Sequence, residues 1–435
     1  MFSPNFVSLA LISYSVVLAS NALVISRDNN TDSSGFKGFP FKARLTPKET
    51  CTDNSSLVTV TNKHNIDYLG KVTVGGREFT LQLDTGSSDL WVTGFDKLNI
   101  NKNTNTDVNL TYGVGSAAGD IVYADVSFGG YYIQNQALVN ATSLDQQDDE
   151  GIIGLGFNGK SEIAEKINDE SGRTVMANIF NRNPETPIFL ALALERTEDG
   201  EDTSGGVLSI GEYDPDYSHV SGMPKHPVKP SAGSRWTIAM NGMTVNGKSI
   251  NLKSNDSSAQ SGTAVALIDS GTSFALIPPQ GADAIYSSIE GAVHIQKKDE
   301  DDWYVPCLGQ TNLSFTFGQE TFPINPMDLT SPTTISDRGK QYTVCVSTFQ
   351  APQITLPPNL DFLLGDVFMR NVYNVFNFGH LSSDDDDSEG ASIQFLSRTD
   401  RDQVYQQFEE CRKESLKNRP PLLDLSKLRT DGSIA

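Results

Sequence analysis

Two short stretches of this chain carry residue types at a spacing that could do chemistry. Asp84-Thr85-Gly86-Ser87-Ser88-Asp89-Leu90-Trp91 is answered 185 residues later by Asp269-Ser270-Gly271-Thr272-Ser273. Each sets an aspartate at the end of an apolar strand and follows it with a hydroxyl residue, a glycine and a second hydroxyl residue. The hydroxyls can hold a carboxylate by hydrogen bonds. The glycine lets the chain turn where a side chain would collide. A carboxylate delivered by buried strands is costly unless it is used. Two of them in matched surroundings read as half-sites that meet, so the chemistry on offer is that of a carboxylate pair.

The elements that must position them are legible nearby. Phe79-Thr80-Leu81-Gln82-Leu83 alternates as a half-buried strand does, and Gly75-Gly76 before it marks a hairpin with Tyr68 to Val74. Ala264-Val265-Ala266-Leu267-Ile268 is a continuous apolar run suited to a strand buried on both faces. Tyr112-Gly113-Val114-Gly115 reads as a hairpin tip. Ile152-Ile153-Gly154-Leu155-Gly156 and Leu363-Leu364-Gly365-Asp366 are apolar pairs running into a glycine, one after each aspartate turn. Together they form a weak internal repeat of two β lobes.

The bulk properties agree. A chain of 435 residues exceeds the size at which a single core keeps growing. Repeated Val, Ile, Thr, Phe and Tyr runs broken by 36 glycines and 20 prolines favour a mainly β protein. A net charge of −21 argues against nucleic acid or an anionic membrane as partner. The four cysteines and five histidines have no metal-site spacing, so neither a metal nor another cofactor is expected. Residues 1–22 read as a signal peptide, although Met1 to Asn5 lacks a basic residue. Six N-x-S/T sequons (Asn29, Asn54, Asn109, Asn140, Asn255, Asn312) are in keeping with the secretory route. Residues 23–48 carry five basic against two acidic side chains. This segment is either a removable pro-segment lying over an acidic cleft or a solvated arm.

The ordered set resembles the pepsin-type aspartic proteases, most closely the secreted fungal members, over residues 65–398. Asp84 through Trp91 and Asp269 through Thr272 match the two catalytic motifs, and Tyr112 falls on the flap tyrosine. Gly206 to Gly211, Trp236-Thr237-Ile238 and Val367 to Tyr373 also match segments of the family. The resemblance implies a bilobal fold of two β-barrel-like lobes, a monomer, and an acid endopeptidase acting on peptide or protein substrates between bulky apolar residues. It divides the chain into an N-terminal segment 23–60, lobes 61–193 and 194–398, and a helical extension 399–435. Asp84 and Asp269 would share a proton and activate water. Ser87 and Thr272 would hold their outer oxygens, with Gly86 and Gly271 in the turns. Tyr112, Gly113 and Val114 would close over substrate, the Tyr112 hydroxyl reaching the Trp91 indole. Val114 departs from the hydroxyl or acidic residue common there, which shifts peptide preference. The resemblance pairs Cys307 with Cys345.

Beyond the matched region, Val404, Phe408 and Cys411 share one face of a helix over 401–417, which suggests a Cys51–Cys411 bridge. Asp384 to Asp387 read as a solvated acidic loop, and the tail shows no lipid-anchor signal. The expected product is secreted, with vacuolar delivery the variant and no membrane anchor after signal removal. The rival from another class is a peptide-binding or inhibitor protein that keeps the fold without turnover. A two-carboxylate glycosidase is disfavoured, because it would need no matched turns.

Overall fold

The structure is a computed structural model. It describes residues 56–429 except 95–97, 148–149, 198–202, 230–233, 298–299, 353–355, 358 and 381–388, together with 432 and 434. The signal peptide, the segment 23–48, Cys51, Asn29, Asn54 and the run Asp384 to Asp387 therefore lie outside the described residues.

Each aspartate is delivered by the same four-strand unit. In the first half, Arg77–Asp84 runs parallel to Gly151–Gly154, with Asp84 opposite Gly154. Gly151–Gly154 then pairs antiparallel with Leu90–Thr93, which lies parallel to Tyr131–Asp145. In the second half, Ala264–Ile268 runs parallel to Phe362–Leu364. Phe362–Leu364 pairs antiparallel with Ala275–Leu276, which lies parallel to Phe349–Gln350. The order and directions match strand for strand, so the weak sequence repeat is a repeat of topology.

Local physics explains both arms. Phe79, Leu81 and Leu83 are buried while Thr80 and Gln82 are half-buried, as the alternation requires. Ala264–Ile268 is buried throughout, clamped between Thr237–Met240 and Phe362–Leu364. The hairpin before Arg77–Asp84 turns on Gly75 and Gly76, at φ 55° and 84°, a left-handed pair that glycine adopts without penalty.

A 13-stranded sheet runs through the molecule. Its strand Phe189–Leu194 is buried along its whole length. On one side it pairs with Thr203–Ile210, on the other with Val372–Asn377, which precedes Ser392–Ser397. The expected boundary between residues 193 and 194 thus falls at the end of one shared strand. Leu57–Lys63 sits between Thr203–Ile210 and Asp67–Val74, and the Ser56 amide donates to Glu212 Oε1 at 3.2 Å. Residues 57–60, assigned from sequence to the N-terminal segment, are structurally part of this sheet.

The second half adds a five-stranded and two four-stranded sheets. Cys307 and Cys345 form a disulfide, with Cα atoms 5.2 Å apart. The C-terminal helix is Arg401–Leu416. Phe408 is buried on its docked face and Val404 and Cys411 are half-buried. Its deepest polar anchor is Arg412, which donates to Met327 O and Thr330 O at 3.0 Å each. The chain after it is stitched to the sheet by Thr343 N to Pro421 O and Leu423 N to Thr343 O, both 2.9 Å. No helix among the described residues is long and apolar enough to cross a membrane.

Candidate active site

Both aspartates are buried at the ends of their strands. Asp84 Oδ1 accepts from Gly86 N at 2.8 Å, and Oδ2 accepts from the Ser87 hydroxyl. Asp269 Oδ1 accepts from Gly271 N at 2.8 Å, and Oδ2 from Thr272 Oγ1 at 2.9 Å. The outer oxygens are thus held by the second hydroxyl of each motif.

The two carboxylates face one another across the glycines. A Cβ on Gly271 would lie 2.2 Å from Asp84 Oδ1, and one on Gly86 would lie 2.5 Å from Asp269 Oδ1. Neither glycine has positive φ. Glycine is therefore required here by the opposite carboxylate, through close approach, and not by the turn's dihedral angles. Burial and the neighbouring charge of Asp269 raise the Asp84 pKa well above the ordinary carboxylate range, while the Ser87 and Gly86 hydrogen bonds oppose them.

Sequence reasoning missed the job of the first hydroxyl in each motif. Thr85 and Ser270 do not touch their own carboxylates; they cross-link the turns. Thr85 N donates to Ser270 Oγ at 3.1 Å and Ser270 N donates to Thr85 Oγ1 at 2.9 Å. Their hydroxyls then donate to Ile268 O at 3.0 Å and Leu83 O at 2.6 Å, the backbone of the other strand in each case. The glycine-ended strands close the frame. Leu155 N donates to Asp84 O at 2.7 Å, Asp269 N to Leu364 O at 3.1 Å and Asp366 N to Thr272 O at 2.8 Å.

Two further buried carboxyls surround the pair. Asp89 accepts from Glu162 N at 2.9 Å and from the Ser161 hydroxyl at 2.5 Å, and burial raises its pKa to about 6. Asp366 is fully buried and neither of its oxygens has a hydrogen-bond partner. Burial raises its pKa; Arg370 opposes this, and Asp269, Asp67 and Asp84 add to it. Arg370 Nε instead donates to Asp328 Oδ1 at 2.8 Å, and Asp328 also takes Arg196 Nε at 3.1 Å and Asn371 Nδ2 at 2.9 Å.

Tyr112 stands at the tip of the hairpin made by Ile100–Thr111 and Ser116–Phe128, where its amide donates to Gly115 O at 3.1 Å. Its pKa is raised by burial and by the negative charges of Asp84 and Asp89, with the Trp91 indole acting the other way. The ring packs against the cluster of Trp91, Val108, Leu110 and Ile121. The Tyr112 hydroxyl lies within reach of the buried Trp91 indole, whose N–H has no other hydrogen-bond partner. Gly113 is exposed, and the Val114 carbonyl is taken by Gln147 Nε2 at 2.7 Å. Asn109 and Asn255 are exposed and Asn140 and Asn312 half-buried.

Residues 67–383 match the family described as eukaryotic aspartyl protease. A probable aspartic-type endopeptidase of Trichophyton verrucosum is 29% identical over 338 residues, covering 72% of this chain and 60% of that protein. This chain thus aligns with less than two thirds of that relative's length. An aspartic protease of Phaffia rhodozyma is 28% identical, covering 72% of this chain and 74% of that one. Mouse cathepsin E is 28% identical over 359 residues, covering 76% and 83%. The crystal structure of the aspartic proteinase from Irpex lacteus superposes with a TM-score of 0.61 at 21% identity. It covers 79% of this chain and 97% of that one, a likeness of fold.

Proposed function

Because the chain belongs to the eukaryotic aspartyl protease family, we propose that it is an aspartic endopeptidase using Asp84 and Asp269 to activate water in acid. The observation that carries the reading is the mutual approach of the carboxylates, each within 2.7 Å of the position a Cβ would take on the other's glycine. Two carboxylates this close cannot both ionise, so one keeps a proton in acid. The proton belongs to the pair and not to either member alone. The ionised member takes a proton from water, and the protonated member donates to the scissile carbonyl oxygen. A tetrahedral diol results, and the proton then passes to the leaving nitrogen.

Ser87 and Thr272 hold the outer oxygens, leaving the inner ones for water. Tyr112, Gly113 and Val114 close over an extended peptide with bulky apolar residues around the scissile bond, and Tyr112 swings onto the Trp91 indole as they do. The chain is secreted or delivered to a vacuole after loss of residues 1–22 and acts as a monomer. The basic segment 23–48 inhibits until removed. Asn109 and Asn255, being exposed, are the best placed acceptors for glycans. A Cys51–Cys411 bridge is in keeping with the position of Cys411 on the docked side of the C-terminal helix.

The test is hydrolysis of acid-denatured haemoglobin across pH, with and without pepstatin, beside an Asp84→Asn/Asp269→Asn double variant. Pepstatin-sensitive cleavage that vanishes in the variant is the expected result. A purified protein that binds pepstatin but cuts nothing would overturn this reading in favour of an inactive peptide-binding protein.

A further inference from the structure

One buried tryptophan beside the carboxylate pair joins the elements that carry two cations. Arg235 directly precedes Trp236, whose carbonyl accepts from Ile268 N at 3.0 Å. The antiparallel register sets Thr237 opposite Leu267, so its continuation brings Arg235 alongside Asp269. Trp236 also ties this strand to the first half of the molecule. Its Nε1 donates to Leu155 O at 3.2 Å and its ring packs on Phe157 at 4.2 Å between centroids. Three residues after Phe157, Lys160 closes the turn Asn158–Lys160, with its amide on Phe157 O at 3.2 Å. The anchored Trp236 thereby joins the strand end carrying Arg235 to the turn carrying Lys160, from opposite halves of the chain. Lys160 is exposed and Arg235 half-buried.

The electrostatics run the same way. Partial burial and the charge of Arg235 lower the Lys160 pKa, while Glu162 opposes them. Burial lowers the Arg235 pKa, while Asp269 opposes it. Like charges brought together repel, and this occurs on a chain whose net charge is −21. Glu162 offsets part of the charge on Lys160 and Asp269 part of that on Arg235, and an anion arriving from outside would relieve the repulsion between the two cations further.

We propose that Lys160 and Arg235 form a subsite selecting a carboxylate on the substrate peptide, either an Asp or Glu side chain or a free C-terminus, next to the residues that flank the scissile bond. The proposal rests on the protease reading above. It carries its own pH signature. Both cations stay charged in acid, whereas a substrate glutamate protonates near pH ~4.3. Selection for glutamate over glutamine therefore fades as pH falls through that value, whatever the carboxylate pair does to the rate itself.

The experiment is a neutral peptide series with an apolar scissile pair, in which one Gln is exchanged for Glu at each flanking position in turn. A parallel arm compares a free-acid with an amidated C-terminus at the position that responds. At one position the ratio of kcat/KM for Glu over Gln is expected to be about fivefold near pH ~5 and about one near pH ~3. Lys160→Glu should invert the ratio, and Lys160→Met should bring it towards one. Because Lys160 is exposed, both variants test the site without a buried change. If every ratio in the unaltered protein is close to one while the peptides are cut, the subsite is refuted. The same holds if Lys160→Glu shifts the pH–rate profile but not the ratio, which would make the cations counter-charges to Asp269 only. Failure to cut any peptide would instead refute the protease reading beneath it.

Discussion

Thr85→Val removes a hydroxyl that does two things at once, and the structure gives a size for each. The Thr85 hydroxyl accepts from Ser270 N at 2.9 Å and donates to Ile268 O at 3.0 Å. Ser270 and Ile268 are both fully buried, so neither group can turn to water instead. A buried polar group left without its partner costs roughly 1–3 kcal/mol. Two such groups bring the expected loss to about 3 kcal/mol of unfolding free energy. Unfolding should be followed in urea in an Asp84→Asn background, so that self-digestion cannot distort the curve. In the active background, the turns would be free to shift relative to one another. A displacement of about 1 Å at the reacting groups lowers kcat by about 10²-fold. Ser270→Ala removes the reciprocal pair, its bonds with Thr85 N and Leu83 O. The four bonds are chemically distinct, so a double-mutant cycle reads cooperation between them directly. We expect a coupling of about 1 kcal/mol, because breaking either rung loosens the turns that the other joins. A Thr85→Val protein within about 0.5 kcal/mol of the parent, with kcat unchanged, would refute the claim that these hydroxyls hold the two half-sites together.

Three other outcomes are expected. Gly271→Ala sets a Cβ 2.2 Å from Asp84 Oδ1, so kcat should fall by about 10²-fold; Gly222→Ala, with nothing within 4 Å, should leave kcat at the parent value in the same assay. Thermal stability should peak in acid: Asp84, Asp89 and Asp366 have raised pKa values in the folded protein, so their contribution is complete below their unfolded pKa of ~3.9 and is lost as pH rises through the folded values, about 6 for Asp89. Asp328 acts oppositely: burial raises its pKa but Arg196 and Arg370 lower it further, so its contribution is present above ~3.9 and is lost in stronger acid. A Tm that keeps climbing between about pH 5 and pH 7 would contradict that balance. Arg412→Met should cost about 3 kcal/mol, because its guanidinium donates to Met327 O and Thr330 O in a buried site; an unchanged denaturation midpoint would mean that the C-terminal helix is not integral to the fold.

Much of the architecture was legible because its signals are local. The alternation in Phe79 to Leu83 and the apolar run Ala264 to Ile268 each specify their own burial. What was not legible depended on partners far away in sequence. Nothing in Arg401–Leu416 marks Arg412 as the buried anchor in preference to Phe408 or Cys411, because its acceptors are carbonyls of residues 327 and 330. The unpartnered Asp366 reads in sequence as an ordinary residue after a glycine; its character comes from burial and from Arg370 being turned towards Asp328.

The hydroxyl residues are the instructive case. In both motifs the first and second hydroxyls look interchangeable, yet the second holds its own carboxylate and the first reaches the other turn. No propensity separates them. The repeat itself could have done so. Two copies of one motif that meet across an approximate twofold must make reciprocal contacts, residue i on j and j on i. A hydroxyl whose one hydrogen is committed to its own carboxylate cannot also donate to the other strand's carbonyl, so one hydroxyl of each motif is left for the crossing. The second hydroxyl, across the glycine, is the one that folds back onto the carboxylate, which leaves the one next to the aspartate in the turn. Thr85 and Ser270 were therefore the residues free to join the halves, and their mutual bonds at 3.1 and 2.9 Å follow from the symmetry of the sequence once the carboxylates are required to meet.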